Sequence, residues 1–280
     1  MPILEVNNIK YRYDQYDTSS KYAIDDISFD VQEKDFIALI GESGSGKSTL
    51  ISHLNGLYKA NSGDILYRNK SIYDKDFNLT ELRFKCGIVF QYPDYQLFSE
   101  TVLEDVAFGA IKKGLSREDA TNKALEVLKI FNIEHLKDET PFNLSGGEKR
   151  KVAFAGVFVM DPEILIFDEP DAGLDSVSKR HFYQMLKRLN EEFGKTIIFI
   201  THNLDDVVEY AKKVLVLNDG KLISKGFPFD ILSNKETMEK CNLDMPYAIR
   251  IYNKVIDMGY SIDKNKLKFN DLLESLNRLK

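Results

Sequence analysis

The stretch that decides the fold is Phe36-Ile37-Ala38-Leu39-Ile40-Gly41-Glu42-Ser43-Gly44-Ser45-Gly46-Lys47-Ser48. It begins with five apolar residues, which is typical of a buried parallel strand, and a helical pattern over residues 48–57 follows the glycines. Gly-x-x-x-x-Gly-Lys-Ser between a strand and a helix is the pattern of a phosphate loop, whose backbone amides surround phosphate oxygens. The sequence therefore predicts an α/β fold that binds a nucleotide.

The loop residues expected to contact the phosphates lie at the strand end and on the first helical turn. We expect Lys47 to neutralise the β and γ phosphates and the Ser48 hydroxyl to bind Mg²⁺. A glycine-rich turn with a chance lysine is the alternative, but the flanking strand and helix favour the phosphate loop. The predicted contacts are Gly41, Ser43, Gly44, Ser45, Gly46, Lys47, Ser48 and Thr49.

The rest of the chain repeats the alternation of buried strands and helices, which predicts a mostly parallel α/β sheet. The alternating apolar and polar residues near the amino terminus, on both sides of a polar loop over 14–21, indicate antiparallel strands. Predicted strands lie at 87–90, 164–167, 196–200 and 214–217, and predicted helices include 117–131, a short buried helix over 152–160, and 178–193.

The pattern weakens after Gly220. Pro228 and Pro246 separate short amphipathic pieces, so we expect about the last fifty residues to form a small helical appendage. The predicted domains are a nucleotide-binding domain over residues 1–228 and a C-terminal helical domain over residues 229–280.

Composition excludes several classes of protein. The 280 residues contain 38 Lys and Arg against 44 Asp and Glu, and the net charge of -6 argues against a nucleic-acid partner. The two cysteines, Cys86 and Cys241, indicate neither a disulfide framework nor a zinc site, so a reducing cytoplasm is expected. The sequence predicts neither a leader peptide nor a membrane span.

Two carboxylates follow the apolar residues 164–167 at a strand end. We expect Asp168 to hold Mg²⁺ through its water shell and Glu169 to orient the water that attacks the nucleotide. Paired acids after a strand can also simply cap a loop, and this pair alone does not decide between the two readings.

Three further side chains are candidates because of their places in the pattern. Gln91 follows a predicted strand and is expected to reach the metal and the attacking water, whereas a surface glutamine is the alternative. His202 follows the strand at 196–200 and is expected to bind the γ-phosphate and hold the water with Glu169, although a lone histidine is usually structural. Tyr13 is our candidate for stacking on adenine, although strand aromatics such as Tyr11 and Tyr13 more often pack in a core.

A second glycine-paired turn, Leu144-Ser145-Gly146-Gly147-Glu148, lies between the phosphate loop and Asp168. A monomeric kinase or GTPase would have no use for it, because one phosphate surface suffices. With this turn, the order of motifs from Tyr13 to His202 resembles the ATP-binding subunits of ABC transporters.

The resemblance implies an ABC nucleotide-binding domain of the P-loop class, with an antiparallel β subdomain and a helical subdomain that carries the Ser145 turn. It also implies that Ser145, Gly146 and Gly147 close on the ATP of a second subunit, and that Asp175 communicates across that interface. Two positions depart from the family pattern, Asp171 in place of threonine and Glu148 in place of glutamine. Neither is expected to carry an essential catalytic group.

Finer motifs resemble the ATPases of energy-coupling factor importers, and the match spans about residues 3–260. They are Phe90-Gln91-Tyr92-Pro93-Asp94-Tyr95-Gln96-Leu97-Phe98, Asp105-Val106-Ala107-Phe108-Gly109, and Glu169-Pro170-Asp171-Ala172-Gly173-Leu174-Asp175, the last of which resembles the second of that group's two ATPases. Residues 243–260 resemble its small C-terminal domain, which keeps the ATPases paired. An unrelated tail helix is the alternative for this segment.

This resemblance implies an ATP- and Mg²⁺-dependent ATPase at the cytoplasmic face of the cell membrane that powers uptake of vitamins or other micronutrients. Its expected partners are a second ATPase, a transmembrane coupling subunit and substrate-binding membrane proteins. The ATPase of an ordinary ABC importer or an ion (cobalt or nickel) importer remains an alternative. A soluble ABC protein of DNA repair or translation is a weaker one, because the chain has one copy of each motif and no room for an inserted coiled coil.

Overall fold

The computed structural model describes residues 1–14, 21–91 and 96–278. The strands are β1 (Leu4–Tyr11), β2 (Ile24–Val31), β3 (Phe36–Ile40), β4 (Ser62–Tyr67), β5 (Lys70–Ser71), β6 (Cys86–Val89), β7 (Ile164–Phe167), β8 (Thr196–Ile200), β9 (Lys213–Asn218) and β10 (Lys221–Gly226). The helices are α1 (Lys47–Leu54), α2 (Leu79–Lys85), α3 (Val102–Lys112), α4 (Arg117–Ile130), α5 (Gly146–Phe158), α6 (Ser176–Glu191), α7 (Leu204–Tyr210), α8 (Pro228–Leu232), α9 (Lys235–Lys240), α10 (Tyr247–Asp257) and α11 (Phe269–Asn277).

The predicted parallel sheet is confirmed. In the described part of the chain it has six strands in the order β10-β9-β3-β8-β7-β6, and all neighbours are parallel except the hairpin of β9 and β10. The central strands are buried on both faces, as expected for strands covered on each side. Their carboxyl ends lie at one edge of the sheet and carry the predicted site residues.

The two faces of the sheet belong to two apolar cores. Because side chains alternate along a strand, Phe36, Ala38 and Ile40 of β3 face the core under helices α3 to α7, whereas Ile37 and Leu39 face the other core. That second core contains α1 and the apolar side of the antiparallel sheet β2-β1-β4-β5. The antiparallel sheet thereby holds the amino-terminal segment beside the phosphate loop.

The predicted helical content after residue 228 is confirmed by α8 to α11. Met238, Ile249 and Leu272, which come from three of these helices, are buried in the same core as the helices of the main sheet. None of the described helices is long and apolar enough to span a bilayer.

Some expected boundaries were wrong. The first helix ends at Leu54 and not at 57, because Asn55 leaves the helical conformation and Gly56 has φ +69°. The pattern after Gly220 hides β10, whose residues are exposed or half-buried because it is an edge strand. Much of the polar loop expected at 14–21 lies outside the described residues.

Helices α3, α4 and α5 depend on a shared apolar core, so Leu128→Ala should lower the free energy of unfolding by about 2–5 kcal/mol, as for other buried leucines. Leu128 is fully buried on α4, whereas Ile111 on α3 is 40% exposed and provides the control Ile111→Ala. Urea denaturation of both variants measures the difference. Equal losses for the two variants would contradict this description of the core.

Candidate active site

The phosphate loop connects β3 to α1 and has the conformation that its glycines allow. Gly46 is the N-cap of α1 with φ +101°, and a Cβ atom there would lie 2.5 Å from the Ala23 carbonyl oxygen. Gly44 has φ +80° and faces open space, so a ligand can approach its backbone closely. The loop is thus built for an anion at the start of α1.

Lys47 lies against the first two residues of this loop. Its ammonium group donates hydrogen bonds of 2.8 Å to the carbonyl oxygens of Gly41 and Glu42. Burial lowers the pKa of Lys47, although the charges of Glu169 and Asp168 oppose that shift. A phosphate group beside the lysine would favour its charged form in the same way.

Ser48 and Asp168 are two of the predicted donors for Mg²⁺. Burial raises the pKa of the Asp168 carboxyl group above its ordinary value; the neighbouring Glu169 adds to this shift, and the Ser48 side chain opposes it. Nowhere in the described chain do three or more His, Cys, Asp or Glu side chains gather to form a metal site of their own. A hydroxyl and a carboxylate beside a phosphate loop suit Mg²⁺, which usually binds one or two protein groups together with nucleotide phosphates and water.

Glu169 is the centre of the site. One carboxylate oxygen accepts a hydrogen bond of 2.9 Å from the Gln91 amide, and the other lies 2.6 Å from Nε2 of His202. Glu169 also has φ +46°, a conformation that costs a non-glycine residue energy and is found most often at functional sites. Three predicted residues from the ends of β6, β7 and β8 are therefore brought together around one carboxylate that can accept a proton from water.

Tyr13 lies beside the phosphate loop, two residues beyond the end of β1. Its hydroxyl group is 2.7 Å from the Thr49 hydroxyl on α1, and its ring is 65% exposed. The ring packs edge-on against Tyr11 and Tyr58, with centroids 5.2 and 6.1 Å away. Tyr13 thus presents an aromatic surface next to the loop, while Tyr11 packs beneath it as a structural residue.

The Ser145 turn forms the amino terminus of α5. The Ser145 side chain accepts from the Glu148 amide, and a Glu148 carboxylate oxygen accepts from both the Ser145 amide, at 2.9 Å, and the Ser145 hydroxyl, at 2.6 Å. These bonds lower the pKa of Glu148. A Cβ atom on Gly146 or Gly147 would meet open space. The start of α5 is consequently rigid, and its glycine backbone is accessible to an anion from outside.

Asp175 caps helix α6, where one of its carboxylate oxygens accepts from the amides of Val177 and Ser178 at 2.9 and 3.0 Å. Hydrogen bonding to Ser178 lowers the pKa of Asp175. Arg150 on α5 donates a 2.8 Å bond to the Ala172 carbonyl in the loop before Asp175. The loop between Glu169 and Asp175 is thereby tied to the helix that carries the Ser145 turn.

Some of the predicted residues line two separate cavities. A cavity of about 730 Å³ is lined by Gly41, Glu169 and His202, and a second, of about 590 Å³, by Ser145 and Gly147. Glu169 and His202 thus face one cavity, and the Ser145 turn faces another.

Some contacts of the site have no signal in the sequence. The Asn242 amide donates to the Glu42 carboxylate at 2.5 Å, and the Tyr247 backbone amide donates to the Asp205 carboxylate at 2.8 Å. The segment before α10 therefore touches both the phosphate loop and the helix after His202. The bonded residues are 200 and 42 positions apart in the sequence, so no local pattern could have indicated these bonds.

Comparisons with known proteins identify the family of this chain. Residues 24–172 match the ABC transporter family. The chain is 40% identical over 274 residues to the energy-coupling factor transporter ATP-binding protein EcfA2 of Clostridioides difficile, which covers 97% of this chain and 95% of that protein. Two solved structures are also similar. One is cbiO1 from Clostridium perfringens, part of the ABC transporter complex cbiONQ, with a TM-score of 0.76, 38% identity and coverage of 92% of this chain and 99% of that one. The other is the ATP-binding cassette MJ0796 in a dimeric post-hydrolysis state with ADP and Pi, with a TM-score of 0.72, 31% identity and coverage of 80% and 98%.

The chain belongs to the family of ABC transporter ATP-binding proteins, and it is an ABC-type ATPase. Within that family it resembles, over nearly its full length, the EcfA2-type proteins of energy-coupling factor transporters.

Glu169→Gln should bind ATP normally but hydrolyse it about 10²–10⁴ times more slowly, because the amide cannot accept a proton from the attacking water. The variant should also accumulate a closed ATP-bound dimer. Phosphate release, binding of a fluorescent ATP analogue and size-exclusion chromatography with ATP measure these effects. Glu163→Gln, just before the start of β7, is the matched control, and normal turnover by Glu169→Gln would reject the role of Glu169.

Tyr13→Ala should raise the Kd for ATP about 5- to 150-fold, corresponding to a stacking energy of about 1–3 kcal/mol. Tyr13→Phe retains the ring and loses only the bond to Thr49, so its Kd should change much less. Titration with ATP and with inorganic triphosphate separates base recognition from phosphate binding. An unchanged Kd for ATP in Tyr13→Ala would remove Tyr13 from the adenine site.

Proposed function

We propose that this chain is an ATP-hydrolysing subunit of an energy-coupling factor importer, in which it powers the uptake of vitamins or other micronutrients. The observation that carries the proposal is the placement of Glu169 between Gln91 and His202, in a chain that resembles EcfA2 over nearly its whole length. Its direct partners would be a second ATPase and a transmembrane coupling subunit, to which it would transmit the energy of ATP hydrolysis.

In the proposed mechanism, Tyr13 stacks on adenine while the loop amides and Lys47 bind the phosphates. Ser48, Asp168 and Gln91 would hold Mg²⁺, which supplies positive charge to the phosphate oxygens. Glu169 accepts a proton from the attacking water, and His202 holds the Glu169 carboxylate and contacts the γ-phosphate. The Ser145 turn of a second ATPase would complete the site, because this chain has its own Ser145 turn in a separate cavity.

The route to the membrane subunit begins at Gln91. Residues 92–95 of the loop that follows lie outside the described residues. On either side of them, Phe90 and Phe98 are exposed, and the Phe98 ring packs edge-on against the exposed Phe108 with centroids 4.7 Å apart. We propose that a helix of the coupling subunit docks on the pair of Phe98 and Phe108, which we call the aromatic patch. The chain from Gln91 to Phe98 would pass movement on hydrolysis to that helix.

The C-terminal helices offer a second contact surface. Helix α10 buries Ile249 and Val255 but exposes Ile251, and α11 exposes Phe269 and Leu273. We propose that residues 229–280 form the predicted small domain and that these apolar side chains pair the two ATPases. The complete assembly would place this chain at the cytoplasmic face of the cell membrane as a peripheral subunit.

The deciding experiment is purification of the tagged chain from its native membranes in detergent, with identification of every bound subunit. A second ATPase, a shared membrane scaffold and several small substrate-binding membrane proteins are the expected result. A single dedicated permease would instead indicate an ordinary importer or an ion importer. Soluble or nucleic-acid partners alone would reject a transport function.

Phe98→Asp should reduce recovery of the membrane subunits by placing a charge in the aromatic patch, while recovery of the second ATPase stays unchanged. Phe227→Asp is the matched control, since Phe227 is similarly exposed and lies outside the patch. Quantitative mass spectrometry of the purified assemblies measures both. If Phe98→Asp retains the membrane subunits in full, the docking surface lies elsewhere.

A further inference from the structure

A half-buried charged triad lies beside the active site. The Lys179 ammonium group on α6 is 2.9 Å from a carboxylate oxygen of Asp171 and 2.5 Å from one of Asp206. The three side chains are only 20%, 12% and 15% exposed, respectively. An ion pair shielded in this way is screened far less by water and salt than the surface pairs of the same helix. The triad is therefore able to hold its three elements in a fixed arrangement.

The two carboxylates belong to the two segments that meet at the active site. Asp171 follows Glu169 by two residues, with the rigid Pro170 between them. Asp206 follows His202 by four residues and lies in the first turn of α7. The 2.6 Å contact between Glu169 and His202 joins these two segments. Lys179 joins the same two segments at a second place.

Both connecting segments are short and internally bonded. The Ala172 amide donates to the Glu169 carbonyl at 3.2 Å, and the Leu174 amide donates to the Asp171 carbonyl at 3.1 Å. On the other segment, the Asn203 amide donates to the Thr201 hydroxyl at 3.1 Å, and the Asn203 side chain caps α7. A displacement of Asp171 or Asp206 would consequently be transmitted to Glu169 or His202 and would not be absorbed in a flexible loop.

The lysine itself has a fixed support. Its ammonium group lies 6.0 Å from the centre of the fully buried Tyr183 ring, which stacks on Tyr210 of α7 with centroids 4.7 Å apart. Burial lowers the pKa of Lys179, but its ion pairs with Asp206 and Asp171 outweigh that effect, so its pKa is raised. Without this cation, two half-buried carboxylates would repel each other and drive the segments apart.

We propose that Lys179 is a positioning residue for ATP hydrolysis, which through Asp171 and Asp206 sets the spacing between Glu169 and His202. This gives a role to Asp171, which departs from the family pattern. The inference rests on the roles of Glu169 and His202 in the proposed function, but not on the identity of the transported substrate.

The test is steady-state ATP hydrolysis by the purified assembly with Lys179→Met. We expect kcat to fall about 10- to 100-fold, as is common for small misplacements of reacting groups, while the Kd for ATP changes less than about twofold. Lys179→Arg retains the charge and should restore most of kcat. Lys187→Met on the same helix removes only an exposed pair with Glu191 and should leave kcat unchanged.

Asp206→Asn provides a second variant for the case in which Lys179→Met does not fold. It keeps the Lys179–Asp171 pair and removes the negative charge that attracts Lys179 to α7, so a lower kcat at unchanged ATP affinity is again expected. Wild-type kcat in Asp206→Asn or Lys179→Met would overturn the proposal, and so would a parallel loss of ATP affinity. Melting temperatures measured alongside confirm that each variant is folded at the assay temperature.

Combination with Glu169→Gln separates positioning from general stability. If Lys179 acts through Glu169, adding Lys179→Met to Glu169→Gln should cause almost no further loss in single-turnover hydrolysis, because neighbouring mutations in one unit are not additive. A full multiplicative loss would contradict the proposal. Normal turnover by Glu169→Gln alone would instead show that the assigned site is wrong, which is a different failure.

Discussion

The register of four parallel strands is the constraint on which the rest of the structure depends. Ala38, Phe199, Phe167 and Val89 pair across β3, β8, β7 and β6 and form one row of the sheet. Gln91 and Glu169 each follow this row by two residues, and Gly41 and His202 by three. Because neighbouring strands are about 4.8 Å apart, a carboxylate beyond the central β7 can reach side chains from both adjacent strands. The site exists because these strands end together.

That register is itself fixed by the two apolar cores. A shift of one residue in β3 would exchange Ala38 and Leu39 between a core of helices and a core against the antiparallel sheet, and a whole strand would be misplaced. Close packing adds to this, since a Cβ atom at Gly87 of β6 would lie only 2.4 Å from the Val157 side chain of α5. The helix with the Ser145 turn therefore packs against the sheet at a point where any side chain larger than that of glycine would clash.

How much the sequence predicts depends on whether the determining residues are neighbours in the chain. The phosphate loop, Asp168-Glu169 and His202 each follow an apolar strand directly, so their positions at the sheet edge could be predicted. The capping box at Ser145 and Glu148 is likewise local. The bond between Tyr13 and Thr49, the contact of Asn242 with Glu42, and the triad around Lys179 join distant residues of ordinary type, and only the folded chain brings them together. Strand β10 was missed for another reason, since a half-exposed edge strand lacks the apolar run that marks a central one.

The loop from Glu169 to Asp175 is the physical link between the two separate cavities. At the start of the loop, the Glu169 carboxylate contacts His202. In the middle, Asp171 pairs with Lys179, and the Ala172 carbonyl accepts a hydrogen bond from Arg150 of α5. At the end, Asp175 caps α6. An anion bound at the start of α5 would pull on that helix, and Arg150 is the side chain that connects the helix to the loop. In the proposed pair of ATPases, such a loop would make the position of Glu169 sensitive to contact at the Ser145 turn. The Ser145 turn would then begin to stabilise charge on the phosphate in the same step that aligns Glu169. This matters because preorganised groups stabilise developing charge only when they are already in place.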